Sequence, residues 1–97
     1  MGIIEPAQLK ERLDQGEQIT VIDVRENEEV AFGMIPGALH IPMGQILERL
    51  EEISKTDEVI LVCRSGNRSG VVQEYLKKNG YSGLKNMTGG MLEWATL

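Results

Sequence analysis

An uninterrupted apolar run, VILV at positions 59–62, constrains the fold of this chain more than any other feature. Strands with one solvated face alternate apolar and polar residues, whereas a continuous β-branched run is typical of a strand buried on both faces. The run ITVIDV at 19–24 has the same character. Because such strands occur mainly in parallel sheets covered by helices, the two runs predict an α/β fold.

Helical patterns alternate with strands along the rest of the chain. Further strands are predicted at 2–4, 38–41 and 83–87, and helices or helical turns at 6–15, 26–33, 44–54, 69–80 and 89–97. The third and fourth helical segments are predicted to bury one apolar face each, formed by Ile46, Leu47, Leu50 and Ile53 and by Val71, Val72, Tyr75 and Leu76. The alternation predicts a single domain, 1–97, with a parallel β-sheet of about five strands flanked by helices on both faces.

Composition narrows the classes of partner and compartment. The net charge of −5 argues against nucleic acid or an anionic membrane as the main partner, and no apolar run is long enough to cross a bilayer. The N-terminal residues lack the pattern of a signal peptide, and a single cysteine excludes an internal disulfide. We therefore expect a cytoplasmic protein. With one cysteine and one histidine, we expect no metal site and no bound cofactor.

The single cysteine, Cys63, directly follows the strand at 58–62 and precedes a polar loop that leads into a helix. Ligands of parallel sheets bind beyond the carboxyl ends of the strands, and free amides at a helix start favour an anion. Such a place lowers the pKa of a thiol, with Gly66 letting the backbone turn inward and with Arg64 and Arg68 adding positive charge. A lone cysteine after a strand is often only a small buried apolar residue, but this loop favours a reactive thiol.

Three segments resemble the rhodanese family of sulfurtransferases. The stretch CRSGNRS is similar to the rhodanese active-site loop. The stretch VIDVRENEEVAFGMIPGALHIP resembles a second family segment, matched by Asp23, Arg25, Glu28, Gly33, Ile35, Pro36, Gly37 and Ala38. The stretch GLKNMTGGMLEW resembles a third, matched by Asn86, Gly89, Gly90 and Trp94. Two positions depart from the family pattern, Met34 where histidine is common and Met87 where leucine is common.

The resemblance implies a single rhodanese domain in which Cys63 is catalytic and carries sulfur as a persulfide. The loop residues Arg64, Ser65, Gly66, Asn67, Arg68 and Ser69 are then expected to bind the substrate. Asp23, Arg25 and Glu28 are expected to support the loop as an ion-pair network. The expected reaction moves a sulfane sulfur from a small donor such as thiosulfate to cyanide or a thiol, including the thiol of an accepting protein.

Two alternatives remain at this point. A rhodanese-like interaction or sulfur-relay module without turnover has the same fold, but has no need for the cysteine together with both arginines. A phosphatase or arsenate reductase relative uses a related loop, with five residues between cysteine and arginine where this chain has four. Phosphate monoester cleavage also needs a general acid, for which the sequence offers no well-placed candidate.

Overall fold

The computed structural model describes residues 2–97, and the strands of these residues form one parallel five-stranded sheet. The strands are β1 (Ile3–Ile4), β2 (Thr20–Asp23), β3 (Leu39–His40), β4 (Val59–Val62) and β5 (Leu84–Met87). Their spatial order is β1-β5-β4-β2-β3, and every neighbouring pair is parallel. The apolar run at 59–62 is therefore the central strand, with partners on both edges.

Helices cover both faces of this sheet, as the sequence predicts. They are α1 (Pro6–Asp14), α2 (Asn27–Val30), a 3₁₀ helix (Met43–Glu52), α3 (Asn67–Lys78) and α4 (Gly90–Trp94). Side chains of β4 alternate between two cores because successive strand residues point to opposite faces. Leu61 belongs to the core that contains Val72 and Leu76 of α3, whereas Ile60 belongs to the core that contains Leu9 of α1.

Two helical segments differ from their predicted packing. The segment expected as a helix at 44–54 is a 3₁₀ helix interrupted at Arg49 (φ −125°), and Leu47 is exposed. Apolar spacing marks the buried side of such a segment but does not distinguish 3₁₀ from α hydrogen bonding. In α3 the buried stripe is narrower than predicted, since Val71 and Tyr75 face solvent.

Glycines end two helices where the sequence places them. Gly16 follows α1 with φ +85° and Gly80 follows α3 with φ +93°, the left-handed conformation typical of a residue just past a helix end. After α3, the amides of Gly80 and Tyr81 donate to the carbonyls of Lys77 and Leu76. Within residues 2–97, no helix is both long and apolar enough to span a bilayer.

Candidate active site

Cys63 lies at the carboxyl end of the central strand, between the ends of its two neighbours. The register pairs Asp23 of β2 with Val62, and Asn86 of β5 with Leu61. The carboxyl ends of β2 and β5 therefore lie on either side of Cys63, and the Asn86 side chain shares its face of the sheet. The sheet topology thus brings together three segments that are far apart in the sequence.

The loop after Cys63 folds back over its sulfur. Gly66 adopts φ +99°, a left-handed conformation that costs a residue with a Cβ atom about 1 kcal/mol or more, and α3 begins at the next residue. This turn aims the Gly66 amide at Cys63 Sγ, with an N···S distance of 3.0 Å. The hydroxyl of Ser69, in the first turn of α3, lies 3.3 Å from the same sulfur. The side chain of Cys63 is fully buried beneath these groups.

These donors favour the thiolate form of Cys63. Burial raises the pKa of the thiol, because an apolar environment disfavours charge. Hydrogen bonds from the Ser69 hydroxyl and from the amides of Ser69, Gly66 and Ser65 outweigh burial, so the pKa of Cys63 lies below its ordinary value. Hydrogen-bond donors of the loop itself are thus the main cause of the lowered pKa.

Asn86 connects the loop to the neighbouring strand β5. Its Nδ2 donates to the carbonyl of Gly66 at 3.0 Å, and its Oδ1 accepts a hydrogen bond from the Ser69 hydroxyl. The one Ser69 proton serves either Asn86 Oδ1 or Cys63 Sγ at a given moment. Asn86 therefore fixes both the turn that supplies an amide and the serine that supplies a hydroxyl.

The start of α4 supports the loop through backbone hydrogen bonds. The amides of Met91 and Leu92 donate to the carbonyls of Cys63 and Arg64 at 2.9 and 3.0 Å. Gly90 packs so closely that a Cβ atom there would lie 2.3 Å from the carbonyl oxygen of Arg64. The glycine pair at 89–90 thus provides a turn and also the space for a backbone-to-backbone contact beside the thiol.

Arg68 forms a two-point ion pair with Glu29 of α2, with N···O distances of 2.7 and 2.8 Å. A hydrogen bond from Arg68 and a second from the backbone amide of Glu26 lower the pKa of Glu29 to about 2. The carboxylate is therefore ionised at neutral pH. Arg68 points at a fixed anion of the protein itself, whereas the sequence predicts a positive charge available to an anionic ligand.

A second ion pair lies at the end of β2. Buried Arg25 donates to both carboxylate oxygens of buried Asp23, at 2.8 to 3.1 Å. Arg25 also donates to the carbonyls of Glu29 and Gly33, at 3.4 and 2.8 Å. His40 supports this arrangement through its Nε2, which donates to the Arg25 carbonyl at 2.7 Å. The pair thus holds the turn that carries Glu29.

Comparison with known proteins agrees with this architecture, and the profile of the rhodanese-like domain family matches residues 5–97. The chain belongs to the rhodanese-like domain family.

Several relatives match most of the chain. YtwF of Bacillus subtilis, named as a candidate sulfurtransferase, is 48% identical over 91 residues, which are 94% of this chain and 87% of that protein. A protein of Allochromatium vinosum named sulfurtransferase is 41% identical over 92 residues, covering 95% and 86% of the two chains. The crystal structure of a rhodanese-like domain protein from Staphylococcus aureus superposes with a TM-score of 0.90, at 39% identity and 97% and 91% coverage.

Within the rhodanese fold, the predicted site residues have different surroundings. Gly66 and Ser69 contact the Cys63 sulfur. The side chains of Arg64, Ser65 and Asn67 are exposed at the outer rim of the loop. Roles in substrate binding for these loop residues stay predictions.

The structure does not bring every member of the predicted supporting network together. Glu28, expected to complete the network with Asp23 and Arg25, is exposed on α2. The carboxylate that reaches the rhodanese loop is that of its neighbour, Glu29. The reason lies at the start of α2, where Glu29 is the third helical residue and its side chain accepts from the Glu26 amide, so it turns toward the loop.

The sequence pattern assigns no site role to Glu29 or to Asn86. For Glu29 the sequence does contain a signal, the capping-box spacing in which Glu26 is followed three residues later by Glu29. The role of Asn86 depends on the register between β5 and β4, which adjacent residues in the sequence do not encode.

Proposed function

We propose that this chain is a sulfurtransferase that moves a sulfane sulfur, from a donor such as thiosulfate to cyanide or a thiol, through a persulfide on Cys63. The observation that carries the proposal is the placement of the Cys63 sulfur under the Gly66 amide and the Ser69 hydroxyl, at 3.0 and 3.3 Å. Donors fixed in this way stabilise a thiolate before the reaction and a negatively charged sulfur after it. The names of the two relatives support transfer of sulfur in general.

In the first half-reaction the Cys63 thiolate attacks the outer sulfur of the donor. A new S–S bond forms, the bond between the two donor sulfurs breaks, and its electron pair leaves on sulfite. The departing sulfite is a stable anion, so no general acid is needed. The persulfide that remains carries its negative charge on the terminal sulfur, where amides from Arg64 to Ser69 stabilise it.

In the second half-reaction an acceptor nucleophile attacks the terminal sulfur of the persulfide. With cyanide, a C–S bond forms, the S–S bond breaks, and its electron pair returns to Cys63 as thiocyanate leaves. A thiol acceptor reacts in the same way after losing its proton, and becomes a persulfide itself. The acceptor can be a small molecule or the thiol of a protein, since the loop rim with Arg64 is exposed.

Two features favour sulfur over phosphate as the transferred group. The sulfur of Cys63 is fully buried under its loop, so a narrow terminal sulfur approaches it more readily than phosphorus surrounded by oxygens. Arg68, which a phosphatase would direct at the phosphate, is occupied by Glu29. The loop with four residues between Cys63 and Arg68 thus suits a persulfide, whose negative charge lies on a single terminal sulfur.

Steady-state kinetics with thiosulfate and cyanide test the proposal. We expect thiocyanate formation with ping-pong kinetics, because sulfite must leave before cyanide attacks. Cys63→Ser should remove the activity, with circular dichroism as the control for folding. Activity retained by Cys63→Ser, or a sequential mechanism that requires both substrates bound together, would contradict the persulfide route.

A further inference from the structure

Two arginines lie in the loop beside Cys63, but only one of them is free to face a substrate. Arg68 is held in a two-point ion pair with Glu29, at 2.7 and 2.8 Å. Arg64 is exposed, and among residues 2–97 no carboxylate lies within ion-pair distance of it. The loop therefore presents one uncompensated positive charge where its sequence contains two.

Glu29 itself is held in place independently of any substrate. Its Oε1 accepts from the Glu26 amide at 3.0 Å in the first turn of α2. Its backbone carbonyl accepts from Arg25, which is anchored on buried Asp23. A carboxylate with this many fixed partners does not swing aside at little cost when an anion arrives.

Arg68 nevertheless lies in the first turn of α3, next to Ser69, whose hydroxyl is 3.3 Å from Cys63 Sγ. The hydrogen bond to Glu29 is the largest cause that raises the pKa of Arg68, and the negative charge of ionised Cys63 raises it further. Arg68 is therefore placed to act on the donor, and the negative charge of Glu29 opposes that action.

We infer that Glu29 is a specificity-determining residue: by neutralising Arg68 it reduces the preference of the site for doubly charged donors relative to singly charged ones. This inference rests on the proposed sulfur transfer. A site with two free arginines would select the more highly charged donor, since each exposed charge attracts a dianion more strongly than a monoanion. With Glu29 in place, Arg64 alone provides this selection.

Thiosulfate and methanethiosulfonate form a matched donor pair for a test. They differ by one negative charge, because a methyl group in the second replaces a charged oxygen in the first. In both, the Cys63 thiolate bonds to the outer sulfur while the sulfur–sulfur bond of the donor breaks. The electron pair leaves on sulfite in one case and on methanesulfinate in the other, and the same persulfide remains.

The experiment compares kcat/KM for the two donors, with cyanide as the acceptor, in the full chain and three variants. Glu29→Gln frees Arg68 and should raise the ratio of thiosulfate to methanethiosulfonate about fivefold. Glu29→Asp retains the charge and should keep the ratio near that of the unmodified protein. The double variant Glu29→Gln with Arg68→Gln has the original net charge and should also return the ratio to that value.

The outcomes separate the inference from the proposed function. A ratio unchanged in Glu29→Gln, or equal losses with both donors, would overturn the inference, because Glu29 would then only hold the loop. If Glu29→Gln does not fold, Arg68→Gln provides the test. This variant leaves the negative charge of Glu29 uncompensated, so the inference requires a ratio of thiosulfate to methanethiosulfonate lower than that of the unmodified protein. Absence of persulfide from both donors in the unmodified protein would instead overturn the proposed function, and the inference with it.

Discussion

Asn86 and Gly66 are twenty residues apart in the sequence, yet Asn86 Nδ2 donates to the Gly66 carbonyl at 3.0 Å. This bond fixes the one residue of the loop with a left-handed backbone, and the amide of that residue points at Cys63 Sγ. The position of a donor on the reactive sulfur is thus determined by a side chain on the neighbouring strand. Asn86 is a positioning residue, since it contacts the loop rather than the sulfur.

Replacement of Asn86 tests this relationship. Asn86→Ala should lower kcat/KM for sulfur transfer about tenfold or more, because the loop amides then lose their fixed orientation. It should also slow alkylation of Cys63 at neutral pH, as the thiolate loses support. Lys85 lies on the same strand as Asn86. Lys85→Ala is therefore the matched control, since it removes only a partly exposed ion pair with Glu58. Equal activities in the two variants would show that Asn86 does not position the loop.

The Ser69 hydroxyl should control the pH dependence of Cys63. Because its hydrogen bond lowers the pKa of Cys63, Ser69→Ala should raise that pKa and shift the rise of reactivity to higher pH. The measurement is the rate of iodoacetamide alkylation as a function of pH. Ser82→Ala is the control. The Ser82 hydroxyl donates to the Lys55 carbonyl and not to Cys63, so this change should leave the pH profile unchanged. A Ser69→Ala profile identical to that control would assign the lowered pKa to the backbone amides alone.

The sequence predicts most of the fold and the place of Cys63 at the end of the central strand, for physical reasons that can be traced to particular segments. The run at 59–62 is apolar on both sides, so its place at the centre of a parallel sheet follows from burial alone. Cys63 is predicted because a polar loop follows it directly. These features are local, and neighbouring residues determine them.

Contacts between distant segments are harder to predict from the sequence. The residue type does not distinguish Glu28 from its neighbour Glu29. The turn at the start of α2 decides which of the two carboxylates pairs with Arg68. The positive charge of Arg68 is visible in the sequence, but its compensation by Glu29 depends on a partner thirty-nine residues away. The 3₁₀ form of Met43–Glu52 is also not visible in the sequence, because apolar spacing marks the buried side of a helical segment and not its hydrogen-bond pattern.

Loop length should matter for the choice between sulfur and phosphate. Inserting one glycine between Gly66 and Asn67 gives five residues between Cys63 and Arg68. The insertion should lower sulfur transfer about 10²-fold, because the Gly66 amide and Ser69 hydroxyl no longer converge on one atom. Thiosulfate:cyanide activity and binding of phosphate or arsenate should be measured on both proteins. Sulfur transfer unaffected by the insertion would remove loop length as the basis of selectivity.

The ion pair of Glu29 with Arg68 should contribute stability that acid removes. The pKa of Glu29 is about 2 in the folded protein and about 4.3 in an unfolded chain. The unfolded chain therefore takes up the proton first as pH falls, and the contribution is present above about pH 4.3 and lost towards pH 2.

Glu29→Gln provides the comparison for this acid dependence. At pH 7 its free energy of unfolding should be lower by about 1 kcal/mol, a value typical of a partly exposed pair. The difference should shrink between about pH 4.3 and pH 2. Urea denaturation at several pH values measures it. Glu58, whose pKa is also about 2 beside Arg12 and Lys85, titrates equally in both proteins and cancels. A difference that does not change with pH would rule out the ion pair as its source.

Intact mass spectrometry after incubation with a sulfane donor tests the persulfide on Cys63 most directly. Thiosulfate should make the protein heavier by one sulfur atom, and cyanide or dithiothreitol should reverse the gain. Cys63→Ser should keep its original mass under the same conditions. If the unmodified protein gains no sulfur from thiosulfate, methanethiosulfonate or any other sulfane donor, the central claim is contradicted, and an interaction module without turnover becomes the better account of the fold.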